Sequence, residues 1–224
     1  MRRLILFVEG EGEAEAVPTL IKRLLTEKGG WPYILLDDSP FRVGSVDRLV
    51  KEDFRHWKRF LGASLKRPNV GGVLLVLDGD IEKVGGKKFC AAEVAKSLTG
   101  AAMHVGAGKK FSVAVVFARQ EYESWLIAGI ASLAGRVLPD GRLVQSNATA
   151  PEGDLEASPR DAKGWLGTIL EGGYKPTRDQ AALTRLVNLE AIRARQLRSF
   201  RRLESAISSL LEAIHCNRPT VSPS

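Results

Sequence analysis

The chain has 224 residues, with 33 Lys or Arg against 26 Asp or Glu, a formal net charge of +7, and only two cysteines. A chain of this length buries a core without disulfides, and no apolar run approaches the length of a membrane helix. These features argue against a disulfide-rich scaffold and a membrane-spanning protein, and the basic charge favours a polyanionic partner. The start lacks the pattern of a signal peptide, so we expect a soluble protein of a reducing compartment, the cytoplasm.

Strand-like and helix-like segments alternate over the first 135 residues. Nearly continuous apolar runs, typical of strands that are covered on both faces, lie at 3–10, 32–38, 71–80 and 111–120. Segments with helical spacing lie at 15–30, 45–66, 87–98 and 121–135. The alternation predicts an α/β fold, a parallel sheet flanked by helices.

The composition changes near residue 136. The stretch 136–160 is rich in glycine, proline, serine and asparagine without periodicity, which is typical of a long loop or a mobile connection. Residues 161–216 then have a helical pattern, and 217–224 resembles a frayed tail. We therefore predict an α/β core over 1–135 followed by a connection, a helical C-terminal part and a tail.

The helical C-terminal part carries much of the positive charge. From Arg160 to the end there are eleven Lys or Arg against six Asp or Glu. Arg198, Arg201 and Arg202 lie close together in this part. Such a run forms either a solvated helix face or a surface that binds a polyanion, and the sequence leaves both open.

Acidic residues follow three of the predicted strands. Glu9 follows the first, Asp78 and Asp80 end the third, and the fourth leads into Glu121 and Glu123. In an open α/β sheet, functional groups gather at the carboxyl ends of the strands. We therefore expect these carboxylates to converge at one edge.

Convergent carboxylates repel one another unless a cation neutralises them. Hard oxygen ligands of this kind suit Mg²⁺ or Mn²⁺. The alternative is ordinary structure, because Asp-Gly-Asp is common in turns and acids at a helix start complement its dipole. Gly10 and Gly12 also mimic the opening of a dinucleotide-binding fingerprint, but Glu15 stands where that motif needs a small residue.

The strand-end glutamate in VEG and the later strand ending in DGD resemble the Toprim domain, the metal-binding module of topoisomerases, bacterial primases and overcoming-lysogenization-defect nucleases. This match rests on Glu9, Asp78 and Asp80. A narrower resemblance, to the bacterial DUF4276 family of Toprim-like proteins, covers nearly the whole chain. It rests on the segments FVEGEGEAEAVPTLIKRLL, VLDGD, ARQEYESWLIAG and GGYKPTRDQAALTRLVNLEAIRARQLRSFRRLESAI.

The family resemblance implies a fold, a metal site and a genomic setting. The matching acidic positions are Glu9, Glu13, Asp78, Asp80 and Glu123. The matching positions of the helical part are Lys163, Tyr174, Lys175, Ser199, Phe200 and Arg201. Members are commonly encoded beside ATPases in mobile or defence-associated contexts, which implies an ATPase partner and a role in phage defence.

The predicted activity is metal-dependent hydrolysis of nucleic acid. Asp78 and Asp80 would hold one or two Mg²⁺ or Mn²⁺, with Glu9 as a further ligand or the general acid/base, and Glu13 and Glu123 as additional ligands. Flanking phosphates would bind to Lys163, Lys175, Arg198, Arg201 and Arg202. The alternative is a non-catalytic regulatory subunit that docks an ATPase or nucleic acid through its basic helices.

Overall fold

A computed structural model describes residues 1–223 and contains one six-stranded sheet and a small hairpin. The strands are β1 (Arg2–Val8), β2 (Ile34–Leu36), β3 (Phe41–Arg42), β4 (Val70–Asp78), β5 (Lys83–Val84), β6 (Lys87–Lys88), β7 (Ser112–Ala118) and β8 (Val221–Ser222). The sheet order is β2-β1-β4-β7-β8, with β3 also beside β1, and every pair in it is parallel. The carboxyl ends of β1, β4 and β7 therefore lie at one edge.

Within residues 1–223, eight α-helices flank this sheet. They are α1 (Glu11–Glu27), α2 (Val46–Ser64, interrupted at residues 51–54), α3 (Ala91–Met103), α4 (Glu123–Ala128), α5 (Ala162–Ile169), α6 (Ala181–Leu186), α7 (Leu189–Ala194) and α8 (Arg198–His215). A single π turn, Pro176–Gln180, precedes α6. Within residues 1–223, no helix combines the length and the apolar character that crossing a bilayer requires.

The core has two layers because successive side chains of a strand point to opposite faces of the sheet. On β4, Leu74 and Val76 face the layer that includes α1 and α8, whereas Leu75 and Leu77 face the layer that includes α2 and α3. Both faces of the central strands are covered, which explains their continuous apolar sequences. The predicted α/β architecture with a helical C-terminal part is confirmed.

Helix α1 begins earlier than the sequence suggested. Residues 11–14, which precede the helix predicted over 15–30, form the first helical turn, with Gly10 as the N-cap. The Glu13 carboxylate accepts a hydrogen bond from the Gly10 N–H at 3.0 Å. Acidic residues are favourable at this end of a helix because they complement its dipole and its free N–H groups. Local capping, rather than apolar periodicity, sets this boundary.

The segment predicted as a helix over 87–98 instead starts in the β5–β6 hairpin. Lys87 pairs with Val84 across a turn made by Gly85 and Gly86. Both glycines have positive φ, 56° and 80°, which tight two-residue hairpin turns require. Helix α3 begins only at Ala91.

The chain after residue 136 is packed onto the sheet. Leu138, Val144 and Leu155 of the expected loop are buried in the same core as α1 and α8. The end of the chain was expected to fray, and this was wrong for β8, which pairs with β7. The physical reason is the free edge of β7, whose N–H and C=O groups need partners.

Candidate metal centre

The carboxyl ends of β1 and β4 are joined through their acidic residues. The Asp78 N–H donates a hydrogen bond to Glu9 Oε2 at 3.3 Å. Beside it, the Gly79 N–H donates to the Gln120 carbonyl at 2.8 Å, which ties the end of β4 to the segment after β7. The three strand ends thus bring their acidic residues to one place.

Gly79 allows this close approach. A Cβ atom at this position would lie 2.6 Å from the Arg119 carbonyl oxygen and 2.8 Å from that of Ala118. No side chain fits at such distances from backbone atoms. The glycine between the two aspartates of DGD is therefore needed for packing.

We expect Gly79→Ala to lower the free energy of unfolding by about 1–3 kcal/mol, the usual cost of overpacking. It should also weaken divalent-metal binding, because Asp78 moves with the displaced strand end. Thermal melts and Mn²⁺ titrations check both effects. Gly62→Ala is the matched control, since a Cβ there meets nothing within 4 Å; equal destabilisation by both changes would contradict the packing argument.

Three carboxylates form a compact group at this edge. Asp78, Glu121 and Glu123 each offer an oxygen, and these oxygens lie within 4.8 Å of one another. The Glu123 side chain has 0% exposure, and Glu121 is also largely buried. A group of this size and donor type matches the oxygen ligands of Mg²⁺ or Mn²⁺.

The surroundings of the group oppose negative charge. Burial raises the pKa of Asp78 well above its usual range, and the neighbouring carboxylates of Glu123, Glu13 and Glu9 raise it further. Burial is also the main cause of the raised pKa values of Glu9 and Glu123. Without a cation these side chains therefore hold protons more tightly than free carboxyl groups.

Hydrogen bonds hold one carboxylate oxygen of Glu123 but not the other. Its Oε1 accepts hydrogen bonds from the Tyr174 hydroxyl at 2.8 Å and from Gln180 Nε2 at 3.2 Å. Its Oε2 is buried and has no hydrogen-bond partner among residues 1–223. A buried carboxylate oxygen without a partner is costly. A cation at this oxygen would remove that cost, so the residues present fit a divalent metal.

Gln180 links two parts of the centre that are distant in sequence. Its Nε2 donates to Glu13 Oε1 as well as to Glu123, each at 3.2 Å. The π turn that carries Gln180 packs against Gly12, where a Cβ would lie 2.7 Å from Gln180 Oε1 and 2.9 Å from Pro176 Cβ. The small residue at position 12 thus serves this contact, and no local sequence signal marks Gln180.

Lys163 lies among the acids. Its ammonium group forms an ion pair with Glu121 and lies 4.0 Å from Glu123 Oε2. Burial lowers its pKa, but the carboxylates of Glu123, Glu121 and Asp78 more than offset this, so the pKa is raised. Lys163, which was expected to bind a phosphate, therefore neutralises part of the charge of Glu121 and Glu123 in this structure.

The other predicted site residues occupy different positions. Glu9 and Glu13 adjoin the group of three, whereas Asp80 is exposed beyond Gly79 and does not belong to it. Lys175 and Arg201 are exposed, and Arg198 and Arg202 line a groove next to Asp80. Glu121, expected at this edge but not among the predicted metal ligands, belongs to the group of three. Tyr174, a family-matching position, and Gln180, which the sequence analysis did not name, hold Glu123.

Ser199 and Phe200, which match family positions, are structural in this fold. Phe200 is buried, and its ring packs edge-on against Trp125. The Ser199 hydroxyl accepts a hydrogen bond from Trp125 Nε1 at 2.8 Å. The Ser199 N–H donates to the buried carboxylate of Glu156 at 2.6 Å, which satisfies one free N–H at the start of α8.

The fold and the acidic group define a parallel α/β protein with a candidate metal centre at the carboxyl edge of its sheet. The family model described as "Domain of unknown function (DUF4276)" matches residues 8–208. The chain belongs to the DUF4276 family, and the resemblance inferred from its motifs is confirmed.

No curated protein matches the chain. The chain is similar to one solved structure, the C-terminal region of the Burkholderia pseudomallei OLD protein, at 16% sequence identity and a TM-score of 0.43, over 97% of this chain and 98% of that one.

Proposed function

We propose that the protein is a divalent-metal-dependent nuclease that hydrolyses phosphodiester bonds in nucleic acid. The observation that carries this proposal is the buried group of Asp78, Glu121 and Glu123, in which one Glu123 oxygen has no hydrogen-bond partner among residues 1–223. The strand-end placement of Glu9 beside Asp78 agrees with the Toprim resemblance. The proposed ion is Mg²⁺ or Mn²⁺.

A bound Mg²⁺ or Mn²⁺ would neutralise charge on a phosphate and lower the pKa of a bound water molecule. The protein's own contribution is to hold the ligand oxygens in place. Asp78 Oδ1 accepts a hydrogen bond from the Tyr122 N–H at 2.9 Å, and Tyr174 and Gln180 orient Glu123. Ligands fixed in this way lose little freedom when an ion binds.

Glu9 is the best-placed group for proton transfer. It lies at the rim of the acidic group, and burial raises the pKa of its carboxyl above its usual value. A raised pKa brings a carboxyl closer to the range in which it can accept and return a proton near neutrality. We therefore assign Glu9 the role of general acid/base.

The surroundings of the two tyrosines in this centre argue against a covalent tyrosine nucleophile of the topoisomerase type. Tyr174 and Tyr122 lie close to the acids, and burial together with the Glu123 carboxylate raises the pKa of both hydroxyls. Each hydroxyl is also engaged, with Glu123 and with Thr184 respectively. Direct hydrolysis is thus preferred to a covalent phosphotyrosine step.

A screen of labelled nucleic acids tests the proposal. Single-stranded and duplex DNA and RNA are incubated with the purified protein in Mg²⁺, in Mn²⁺ and in EDTA. We expect cleavage of at least one substrate with metal and none in EDTA. Because the resemblance implies an ATPase partner and a phage-defence or mobile-element setting, the screen is repeated with ATP and an ATPase of the kind encoded beside family members. Absence of cleavage under all these conditions would contradict the proposal.

One observation favours a second candidate, a non-catalytic docking subunit. Lys163 already pairs with Glu121 and approaches Glu123, so a side chain supplies part of the positive charge that the acids need. In such a protein the acids and the lysine would be structural, and the basic helices would bind an ATPase or nucleic acid.

Lys163→Met separates the two candidates. The Lys163 side chain is 38% exposed, so the ion pair is only partly buried. Its loss leaves Glu121 and Glu123 without the ammonium group, and we expect a cost of about 1–3 kcal/mol and a lower melting temperature in EDTA. If the acids form a metal centre, saturating Mn²⁺ should recover most of the loss, because the ion supplies the missing charge. Equal destabilisation with and without Mn²⁺ would favour the docking subunit.

A further inference from the structure

A large groove adjoins the acidic edge of the sheet. Its volume is about 1050 Å³. It begins at Gly79 and Asp80, passes the β5–β6 hairpin and the start of α3, and is closed on the other side by the start of α8. The volume is at the upper end of ligand sites, of about 300–1,000 Å³.

The rim of this groove is strongly basic. Six basic side chains line it, namely Lys83, Lys88, Arg119, Arg160, Arg198 and Arg202. The acidic residues that line it are Asp80, Glu82 and Glu156, and Glu156 is buried beneath α8. Within the part of the chain that the structure describes, none of the six has a carboxylate partner.

Other arginines in the second half of the chain, outside the groove, are paired with carboxylates. Arg193 is paired with Glu27, Glu190 and Glu204. Arg142 is paired with Asp140 and Asp179. The groove therefore concentrates positive charge that the fold leaves uncompensated, and a polyanion complements it.

The floor of the groove is apolar and aromatic. Val115, Phe117, Phe89 and Ala95 contribute to it, and the rings of Phe89 and Phe117 meet edge to face with centroids 5.3 Å apart. Phe89 is partly exposed. A basic rim over such a floor matches a ligand that carries both anionic groups and flat apolar faces.

Gln120 supplies a second indication of a ligand. It lines the groove, and its side-chain Oε1 is buried without a hydrogen-bond partner among the described residues. Buried acceptors are rarely left unpaired in native proteins. The N–H groups of a nucleobase are donors of the kind that would satisfy this oxygen.

We propose that the groove binds a single-stranded segment of nucleic acid, with its phosphates on the basic rim and its bases against the apolar floor. A single strand exposes its base faces, whereas a duplex keeps them stacked inside and offers the floor no partner. This inference rests on the proposed nuclease function and names the substrate class of that site.

The groove lies next to the acidic group in the chain. Gly79, Asp80 and Gln120 line it, and the chain neighbours Asp78 and Glu121 belong to the group of three carboxylates. A strand that lies in the groove would therefore run past residues that adjoin the acids. The exposed Asp80, which lies outside the group, is the residue that such a strand meets first.

Fluorescence anisotropy of a labelled single strand of about 12 nucleotides, titrated in EDTA, tests this inference without cleavage. The same sequence in a duplex is measured beside it. We expect the single strand to bind at least about 10-fold more tightly than the duplex, and Arg119→Glu/Arg198→Glu to weaken its binding by at least about 10-fold. Phe89→Ala should also weaken single-strand binding, by about 5-fold or more, because a base loses its contact.

The control is Lys109→Glu/Arg218→Glu, which makes the same change in net charge at the opposite, amino-terminal edge of β7. We expect it to change single-strand affinity by less than about 2-fold at moderate salt. Equal or tighter duplex binding, or equal weakening by the control, would overturn the inference. If the protein binds the single strand tightly through the groove but cleaves nothing, the groove's role in binding stands and only the nuclease proposal is refuted. If cleavage is unaffected by Arg119→Glu/Arg198→Glu, only the groove's role is refuted.

Discussion

Replacing Asp78 by asparagine should lower metal-dependent cleavage at least about 100-fold, because a side chain that binds the ion directly matters at least as much as the partners that orient it. Asparagine has the same shape, and its Oδ1 can still accept the hydrogen bond that the Tyr122 N–H now donates at 2.9 Å. The fold should therefore survive while the anionic ligand is lost. Initial cleavage rates on the best substrate of the screen, together with circular dichroism, measure both.

Asp38→Asn is the matched control for this prediction. Asp38 also follows a strand of the same sheet, β2, but it is exposed and pairs with Lys22 instead of joining the acidic group. We expect its cleavage rate to equal that of the wild type. If a folded Asp78→Asn protein cleaves at the wild-type rate, this centre does not take part in cleavage.

Without metal, the protein should lose stability as the pH rises above about 4, the unfolded pKa of a carboxyl group, towards neutral and alkaline pH. The cause is the set of carboxyl groups whose folded-state pKa lies above that unfolded value. Asp78, Glu9 and Glu123 are raised, chiefly by burial. Such groups contribute stability below their unfolded pKa, and the contribution is lost as the pH rises through the folded pKa. Asp78→Asn removes one of these groups and should flatten the trend.

Divalent metal should reverse the trend, because ligand carboxylates must lose their protons before they bind an ion. Melting temperatures measured over this pH range in EDTA and in Mn²⁺ therefore diverge as the pH rises. Asp37 and Asp179 have lowered pKa values despite their burial, because arginines hydrogen-bond to them. The stability that these two carboxylates give to the protein is therefore lost only in more acidic solution. Identical pH profiles for wild type and Asp78→Asn in EDTA would contradict the account.

The sheet and its acidic edge could be predicted because their signals are local. Continuous apolar runs mark strands that are buried on both faces, and the residue after each run must then lie at the carboxyl edge. Glu9, Asp78 and Glu123 were placed in this way. The same reasoning could not separate Asp78 from Asp80, because it does not show that Gly79 packs against the carbonyls after β7 and leaves Asp80 outside.

The rest of the centre depends on contacts between distant parts of the chain. Gln180 donates a hydrogen bond to Glu13, which lies 167 positions away in the sequence, and no local spacing predicts such a pair. The family resemblance pointed to Lys163 and Tyr174, but only the structure shows that they contact Glu121 and Glu123. The groove is equally non-local, since its walls come from a hairpin, two helix starts and the end of the chain.

The central claim is that Asp78, Glu121 and Glu123 hold a divalent ion. Calorimetric titration of Mn²⁺, and then of Mg²⁺, into the wild type and into Asp78→Asn tests it most directly, at a pH near 8 where the ligands release their protons most readily. We expect saturable binding by the wild type and at least about 100-fold weaker binding by a folded Asp78→Asn protein. Binding of equal affinity by the two proteins, or no binding by the wild type even with the single-stranded oligonucleotide present, would contradict the claim.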